Sequence, residues 1–500
     1  MNQALNIFRK DTAQMWAQLL MPMSTLTLFT VLESKSWSSN PLMFFSTDTL
    51  TNVLVLTFCM IWVVLIISLI QAERLVGLNQ FWTTRPYEWP KLIAAKCCFL
   101  LTFLYFPLVV SQVILLHQAH LSIAQSVPAL LHNLLVFTVV FVLPVVCAAA
   151  LTRSIGRAML VLLVFVAMLV AVASFPTLFK GLAPRSLLPL QLFLIAAVLS
   201  AALINQYRNR TTGRSLNILI LAPVLTLLLQ VTVPGTSLAA YGYPLPTGSS
   251  SVSVQFDSNP LRAFGTPLPS DPDARLYLHL PLLLSGIEPG TSFALDGHRL
   301  TLIGANGYQW QSPWLSQAGA LSSSQSSGQI TAFSEFSIPR SVYDRLAGSP
   351  VSLRIEFALT QLQDQPPVGS TLSTVGTRIR GLGFCLLDES YSVVNCRSAF
   401  HAPSHFAIET FRKLGPCTLP DAVLDPAFGL VGDAGSVSML PHISSVDVTP
   451  LQLGAPTRAG NLCPGMPIKF VEKRFQRRLE IEMPAVTIAL KDYVGSTKIK

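Results

Sequence analysis

Four cysteines in the C-terminal half, Cys385, Cys396, Cys417 and Cys463, have the plainest chemistry in the chain. An even number suits disulfides formed in an oxidising space. None forms a C-x-x-C pair, so tetrahedral zinc is the weaker use for them. Of the connectivities open to four cysteines, sequence proximity favours Cys385 with Cys396 and Cys417 with Cys463. The remaining cysteines, Cys59, Cys97, Cys98 and Cys147, fall in or beside apolar runs, where a small apolar residue needs no further role. His401 and His405 have an H-x-x-x-H spacing that a helix would turn into a metal site. Pro403 between them argues against that helix, so loop histidines facing water are expected. His279 alternates within a strand pattern and His298 sits beside a turn signal, so both are expected at the surface. The stretch GLGF lacks the spacing of a phosphate loop, and neither G-x-S-x-G nor H-E-x-x-H occurs. No catalytic residue, metal-ligand set or cofactor site is therefore expected. Lys473, Arg474, Arg477 and Arg478 are basic but interleaved with Glu472, Glu480 and Glu482, the pattern of a solvated strand edge.

The elements that must position these residues divide the chain in two. Hydrophobic residues are 51% and charged residues 12% of the 500, too little charge for one soluble globular protein of this size. Before Gly235 there are 14 Lys and Arg against 5 Asp and Glu, and after it 20 against 20, so the whole +9 excess lies in the first half. An excess confined to short loops between apolar runs is a topology signal, and no nucleic acid partner is expected. Residues 1–15 follow a helical stripe through Ala4, Leu5, Phe8 and Met15, which predicts an interfacial helix on the cytoplasmic side. Spans are expected near residues 16–32, 52–70, 92–116, 127–151, 158–175, 187–206 and 216–233, within a membrane domain of residues 16–234. Each approaches the ~20 apolar residues that cross a hydrocarbon core, and the first is the most polar. The N-terminal run lacks a short apolar region followed by a cleavage site, so no cleavable signal peptide is expected.

Basic residues orient the spans. With the N-terminus inside, the cytoplasmic segments hold Arg9, Lys10, Arg74, Arg85, Lys91, Lys96, Arg153, Arg157, Arg208, Arg210 and Arg214, and the outer loops only Lys35, Lys180 and Arg185. No Asp, Glu, Lys or Arg falls near the middle of a span, which counts against an ion-coupled transporter. Pro107, Pro144 and Pro223 fall inside apolar runs, where kinks are expected.

From residue 235 to 500 the pattern changes to short alternating runs. VSLRIEFAL places Val351, Leu353, Ile355, Phe357 and Leu359 on one face, as in a half-buried strand. Asp296-Gly297 and Asn306-Gly307 are hairpin-turn signals, and Ser341 with Asp344 resembles a helix capping box. The fold class expected is an α-helical membrane domain of six to seven transmembrane helices, followed by an all-β, sandwich-like extracytoplasmic domain of one or two subdomains. The Gly/Ser/Gln-rich stretch 316–328 is a candidate internal boundary.

The segment QAERLVGLNQFWTTRPYEWPKLIAAK, residues 71–96, is basic and aromatic. Glu73, Leu78, Phe81, Trp82, Arg85, Tyr87 and Trp89 make it either an inward-facing loop with interfacial aromatics or a docking loop for a cytoplasmic partner. Together with FRKD at residues 8–11, it resembles the permease subunits of type-2 ATP-binding-cassette exporters. The resemblance is closest to bacterial permease-like proteins that carry an added C-terminal domain. It covers residues 1–233 and implies that residues 73–89 form a coupling helix seated on a separate ATPase. It also implies that ATP is bound by that partner, and that the chain works as a homodimer in the bacterial cytoplasmic membrane. The family core has six spans, whereas seven are counted here. Two other functions stay open: a membrane-anchored binding or structural protein, and a membrane-anchored extracytoplasmic hydrolase.

Overall fold

The computed structural model describes residues 2–37, 47–72, 88–178, 188–232, 252–257, 275–286, 288, 290–312, 319–322, 330–380, 382–388, 393–399, 406–413, 417, 424–431, 443–451 and 461–495. Seven helices among them are long and apolar enough to cross a membrane by length and composition. They are α1 (Asn2–Ser36), α2 (Thr47–Gln71), α3 (Trp89–Gln118), α4 (Ile123–Leu151), α5 (Ile155–Leu178), α6 (Leu188–Asn209) and α7 (Thr212–Thr232). Helix α1 runs unbroken through Pro22, so the anticipated interfacial helix and the first span are one element. Its hydroxyl groups are satisfied locally: Thr25 bonds the Met21 carbonyl, Thr27 the Met23 carbonyl and Thr30 the Leu26 carbonyl. Such back-bonding lets polar side chains sit in an apolar helix.

Helices α3 and α4 each contain a wider π-turn, Leu101–Tyr105 and Thr138–Val142. Each turn lies just ahead of a proline, Pro107 or Pro144. Proline lacks the N–H that would bond four residues back, and its ring crowds that carbonyl, so the helix widens where it is met. The expected kinks at these prolines thus take the form of π-turns. Thr138 donates to the Leu134 carbonyl at 2.6 Å, so the 2.5 Å contact to Tyr105 Oη is donated by the phenol and joins the two turns. Phe29, Phe58, Trp62, Phe99, Leu108 and Phe137 fill the main helical core. A smaller core around Leu151, Phe165, Leu199 and Leu219 holds α5, α6 and α7 to the end of α4.

The β-region is two sandwiches that share one strand. In the first, β1 (Ser253–Phe256), β2 (Arg275–Ser285), β6 (Ile330–Pro339) and β16 (Val494–Gly495) form one sheet. It faces β3 (Thr291–Gly304), β4 (Gln309–Gln311), β5 (Gly319–Ser322), β7 (Val351–Asp364) and the second half of β15 (Pro467–Ile488). Val351, Leu353, Ile355, Phe357 and Leu359 are all buried in this core, as their alternation predicts. In the second sandwich, β9 (Thr377–Ile379), β10 (Gly383–Asp388), β11 (Val393–Ala399) and β14 (Val446–Leu451) form a four-stranded sheet. This sheet packs on β12 (Phe406–Lys413) and the first half of β15, with β8 (Val368–Thr371) and β13 (Leu424–Val431) alongside. The chain passes from one sandwich to the other between β7 and β8 and again along β15. The 316–328 stretch contains β5 and is followed by β6, both of the first sandwich, so it does not separate the two sandwiches.

Two local expectations are corrected. Asp296-Gly297 is not a hairpin turn but an irregularity inside the 14-residue β3, between Leu295 and Gly297. Asn306-Gly307 does turn the chain, with Gly307 at φ +79° and Gly304 N–H bonded to the Tyr308 carbonyl. The short helix α8 (Arg340–Leu346) is preceded by Pro339 and has no side-chain cap; Asp344 pairs instead with Arg340 at 2.9 Å.

Candidate functional site: the two ends of the helical bundle

Of the residues singled out in the 71–96 segment, Glu73, Leu78, Phe81, Trp82, Arg85 and Tyr87 lie outside the described residues. The chain re-enters at Glu88, whose extended backbone (ψ 121°) leads into Trp89 and Pro90 in the first turn of α3. Trp89 is 40% exposed, and Lys91 pairs with Glu88 at 2.8 Å on the surface. Two turns further on, Lys96 Nζ meets Asp11 Oδ2 of α1 at 2.8 Å. The two side chains are 4% and 0% exposed, so Lys96 is a buried ion-pair partner and not the loop cation its position predicts. Gln71, at the end of α2, donates to both the carbonyl and the hydroxyl of Thr152, each at 3.2 Å. The ends of α2 and α4 and the start of α3 therefore lie at one end of the bundle.

The other end carries the β-region. Arg397 of β11 lies between the rings of Trp37, just after α1, and Phe384 of β10, 5.3 Å from each centroid. Its Nη2 donates to the Trp37 carbonyl at 3.2 Å. Burial here pulls the guanidinium pKa below its usual value, which the two ring faces offset by cation–π attraction. His120 closes α3 in the left-handed conformation (φ 57°) and packs 5.4 Å from Phe384. Gly383 has φ +134°, and a side chain there would collide with the Arg397 carbonyl and press on Leu121 of the α3–α4 turn. Ser445, just before β14, donates to the Gln112 carbonyl of α3 at 2.9 Å. Ile443 and Val446 join the helical core.

Both expected disulfides are formed. Cys385–Cys396 links directly opposed residues of β10 and β11, next to the opposed pair Phe384 and Arg397. Cys417–Cys463 ties the segment after β12 to the one before β15. The chain is thus a multi-pass membrane protein whose β-region lies on an oxidising side.

Other candidates are placed differently from expectation. His279 and His298 are 3% and 1% exposed; the first lies under the β2–β16 pairing and the second packs edge-on to Phe336 at 4.3 Å. Lys473 is buried and pairs with Asp364 at 2.6 Å, so it is not the solvated cation expected, while from Lys473 onward β15 pairs with β7 along one side and its pairing with β12 stops at Glu472. Arg474 and Arg477 are exposed, held by Glu472 and Gln361. His401 and His405 lie outside the described residues, among which no group of three His, Cys, Asp or Glu side chains is placed to hold a metal. The junction residues Arg397, Phe384, His120 and Ser445 carry no signal in the sequence, because Arg397 and Phe384 read as ordinary alternating strand positions.

No family model matches the sequence, and no curated protein matches it. Among solved structures, a red sea bream transglutaminase is similar at 8% identity and TM-score 0.13, covering 51% of this chain and 33% of that one. The C-terminal globular domain of an oligosaccharyltransferase from Pyrococcus abyssi is similar at 12% identity and TM-score 0.11, covering 50% of this chain and 54% of that one. The chain therefore spans about a third and about half the lengths of these two proteins, and likenesses this slight carry no argument about fold or function.

Proposed function

We propose that the chain is the membrane-spanning permease subunit of an ATP-driven exporter, paired as a homodimer and driven by a separate ATP-binding-cassette ATPase. In this reading it sits in the bacterial cytoplasmic membrane with the N-terminus inside and the β-region outside. The carrying observation is the arrangement at the bundle end opposite the β-region. The basic, aromatic segment 73–87 joins α2 to α3 there, and α3 is tied to α1 by the buried Lys96–Asp11 pair two turns inside the bundle. A push on that segment is passed to two helices at once. No Asp, Glu, Lys or Arg occupies the middle of a span, so the driving force comes from a partner. The chain has no phosphate loop of its own, and ATP is bound and hydrolysed on that partner. The test is recovery of an ATP-binding-cassette ATPase with the affinity-purified chain, before and after Trp82→Ala with Arg85→Ala. Loss of the ATPase from the double variant is expected; recovery at an unchanged level overturns the reading.

A further inference from the structure

We propose that the disulfide-stapled sheet β9–β10–β11–β14 is a gate over a neutral, hydrogen-bonding pocket at the α3–α4 hairpin, which binds an uncharged carboxamide or hydroxyl group when the sheet lifts. With the sheet down the site is a seam too narrow for a water molecule, between the two helices and the sheet, with Leu116, Ser126, Ala129 and Asn133 on the membrane side and Ala399 and Ser445 above. Gln112 and Asn133 are 0% and 2% exposed. Neither the Gln112 amide nitrogen and oxygen nor the Asn133 amide nitrogen has a hydrogen-bond partner among the described residues. A buried amide without a partner is costly, so the closed arrangement is penalised at the place the sheet covers. The lining residues carry no formal charge, so an ion gains nothing there. An accepting group satisfies the Asn133 amide that lines the site, and Gln112, whose backbone carbonyl holds Ser445, lies one helical turn before Leu116.

The roof is built to move as one piece. Cys385–Cys396 locks β10 to β11, so Phe384 and Arg397 travel together. The sheet is held down by a guanidinium between two rings, one bond to the Trp37 carbonyl, one from Ser445 to the Gln112 carbonyl, the His120–Phe384 ring contact and the burial of Ile443 and Val446 in the helical core. Below the pocket, the two π-turns joined by Tyr105 and Thr138 give both helices a flexible point at matching places. The gate goes beyond the exporter reading and stands without any ATPase.

The test uses the full chain in lipid nanodiscs, with Ser126→Cys as reporter, a membrane-impermeant maleimide as reagent and mass spectrometry to read that site alone. Labelling is expected to be slow with the native sheet and about tenfold faster with Arg397→Ala, which removes both the stacking and the Trp37 bond. Equal rates with and without Arg397, both disulfides remaining formed, overturn the gate. If Arg397→Ala unfolds the β-region, Ser445→Ala is the milder variant, for which an intermediate rate is expected and an unchanged rate is overturning. Acetamide is expected to slow labelling of the opened variant, and to lose that effect with Asn133→Ala. Labelling indifferent to acetamide overturns the ligand class. Absence of a co-purifying ATPase refutes the exporter reading and leaves these outcomes untouched.

Discussion

At the scale of single residues, the buried Asp11–Lys96 pair carries the most consequence. Two charges have been removed from water between α1 and α3 at a separation of 2.8 Å. Their attraction is set against the desolvation of both, so the pair itself adds little stability, whereas a lone survivor is costly. Asp11→Asn or Lys96→Met alone is expected to destabilise the protein by about 3 to 5 kcal/mol, while Asp11→Leu with Lys96→Met is expected to recover most of that loss. Thermal unfolding of the purified chain in detergent measures it. A double variant no better than either single one would show that packing, and not charge, holds the site. The pair was half legible in the sequence. Both residues flank apolar runs, but charge counting assigns Lys96 to a loop, because periodicity cannot show that α1 extends back to Asn2 and meets it.

Among the elements, the two disulfides differ in what they constrain. Cys417–Cys463 closes 46 residues and Cys385–Cys396 only 11. A longer closed loop removes more conformational freedom from the unfolded chain. Replacing both cysteines of the longer bridge with Ser is expected to cost about 4 kcal/mol, and of the shorter bridge about 3 kcal/mol. Denaturant unfolding of the β-region, followed in each double variant, decides the order. An equal or reversed order means that native packing around Cys385 and Cys396, both in the core of the second sandwich, outweighs loop length. The disulfide pairing was legible because each pair is near in sequence, and the spans were legible because length and apolarity suffice. Turn signals were less secure: Asp296-Gly297 has turn chemistry, yet thirteen-odd paired residues of β3 on β7 override it. The histidines misled for a related reason. Alternation names the face of a strand but not whether that face is covered, and both histidines are buried, His298 against Phe336.

For the whole molecule, contacts fix which loops share a side, and the proposed orientation follows from where the basic loops then fall. Trp37, His120, Leu121 and Gln112 all meet the β-region, whereas Gln71 meets Thr152 at the far end. Seven crossings also carry the chain from one side at Asn2 to the other before Ser253. Two independent observations thus give the same alternation, in which the turns holding Arg153 and Arg157 and holding Arg208, Arg210 and Arg214 lie opposite the β-region. In the proposed orientation the basic loops face the cytoplasm and the disulfides lie on the other side, the placement that both biases favour. Cysteines introduced at Gln118, beside the β-region, and at Ser154, at the opposite end, read it directly. In intact cells an impermeant maleimide is expected to label Gln118→Cys, and to label Ser154→Cys only after permeabilisation, with site-resolved peptides separating these from the native thiols. Labelling of both from one side would break the alternation itself. Exchange of the two, with alternation kept, would place the disulfide-bonded sandwiches in a reducing space, where Cys385–Cys396 would not persist and the stapled sheet would lose its rigidity.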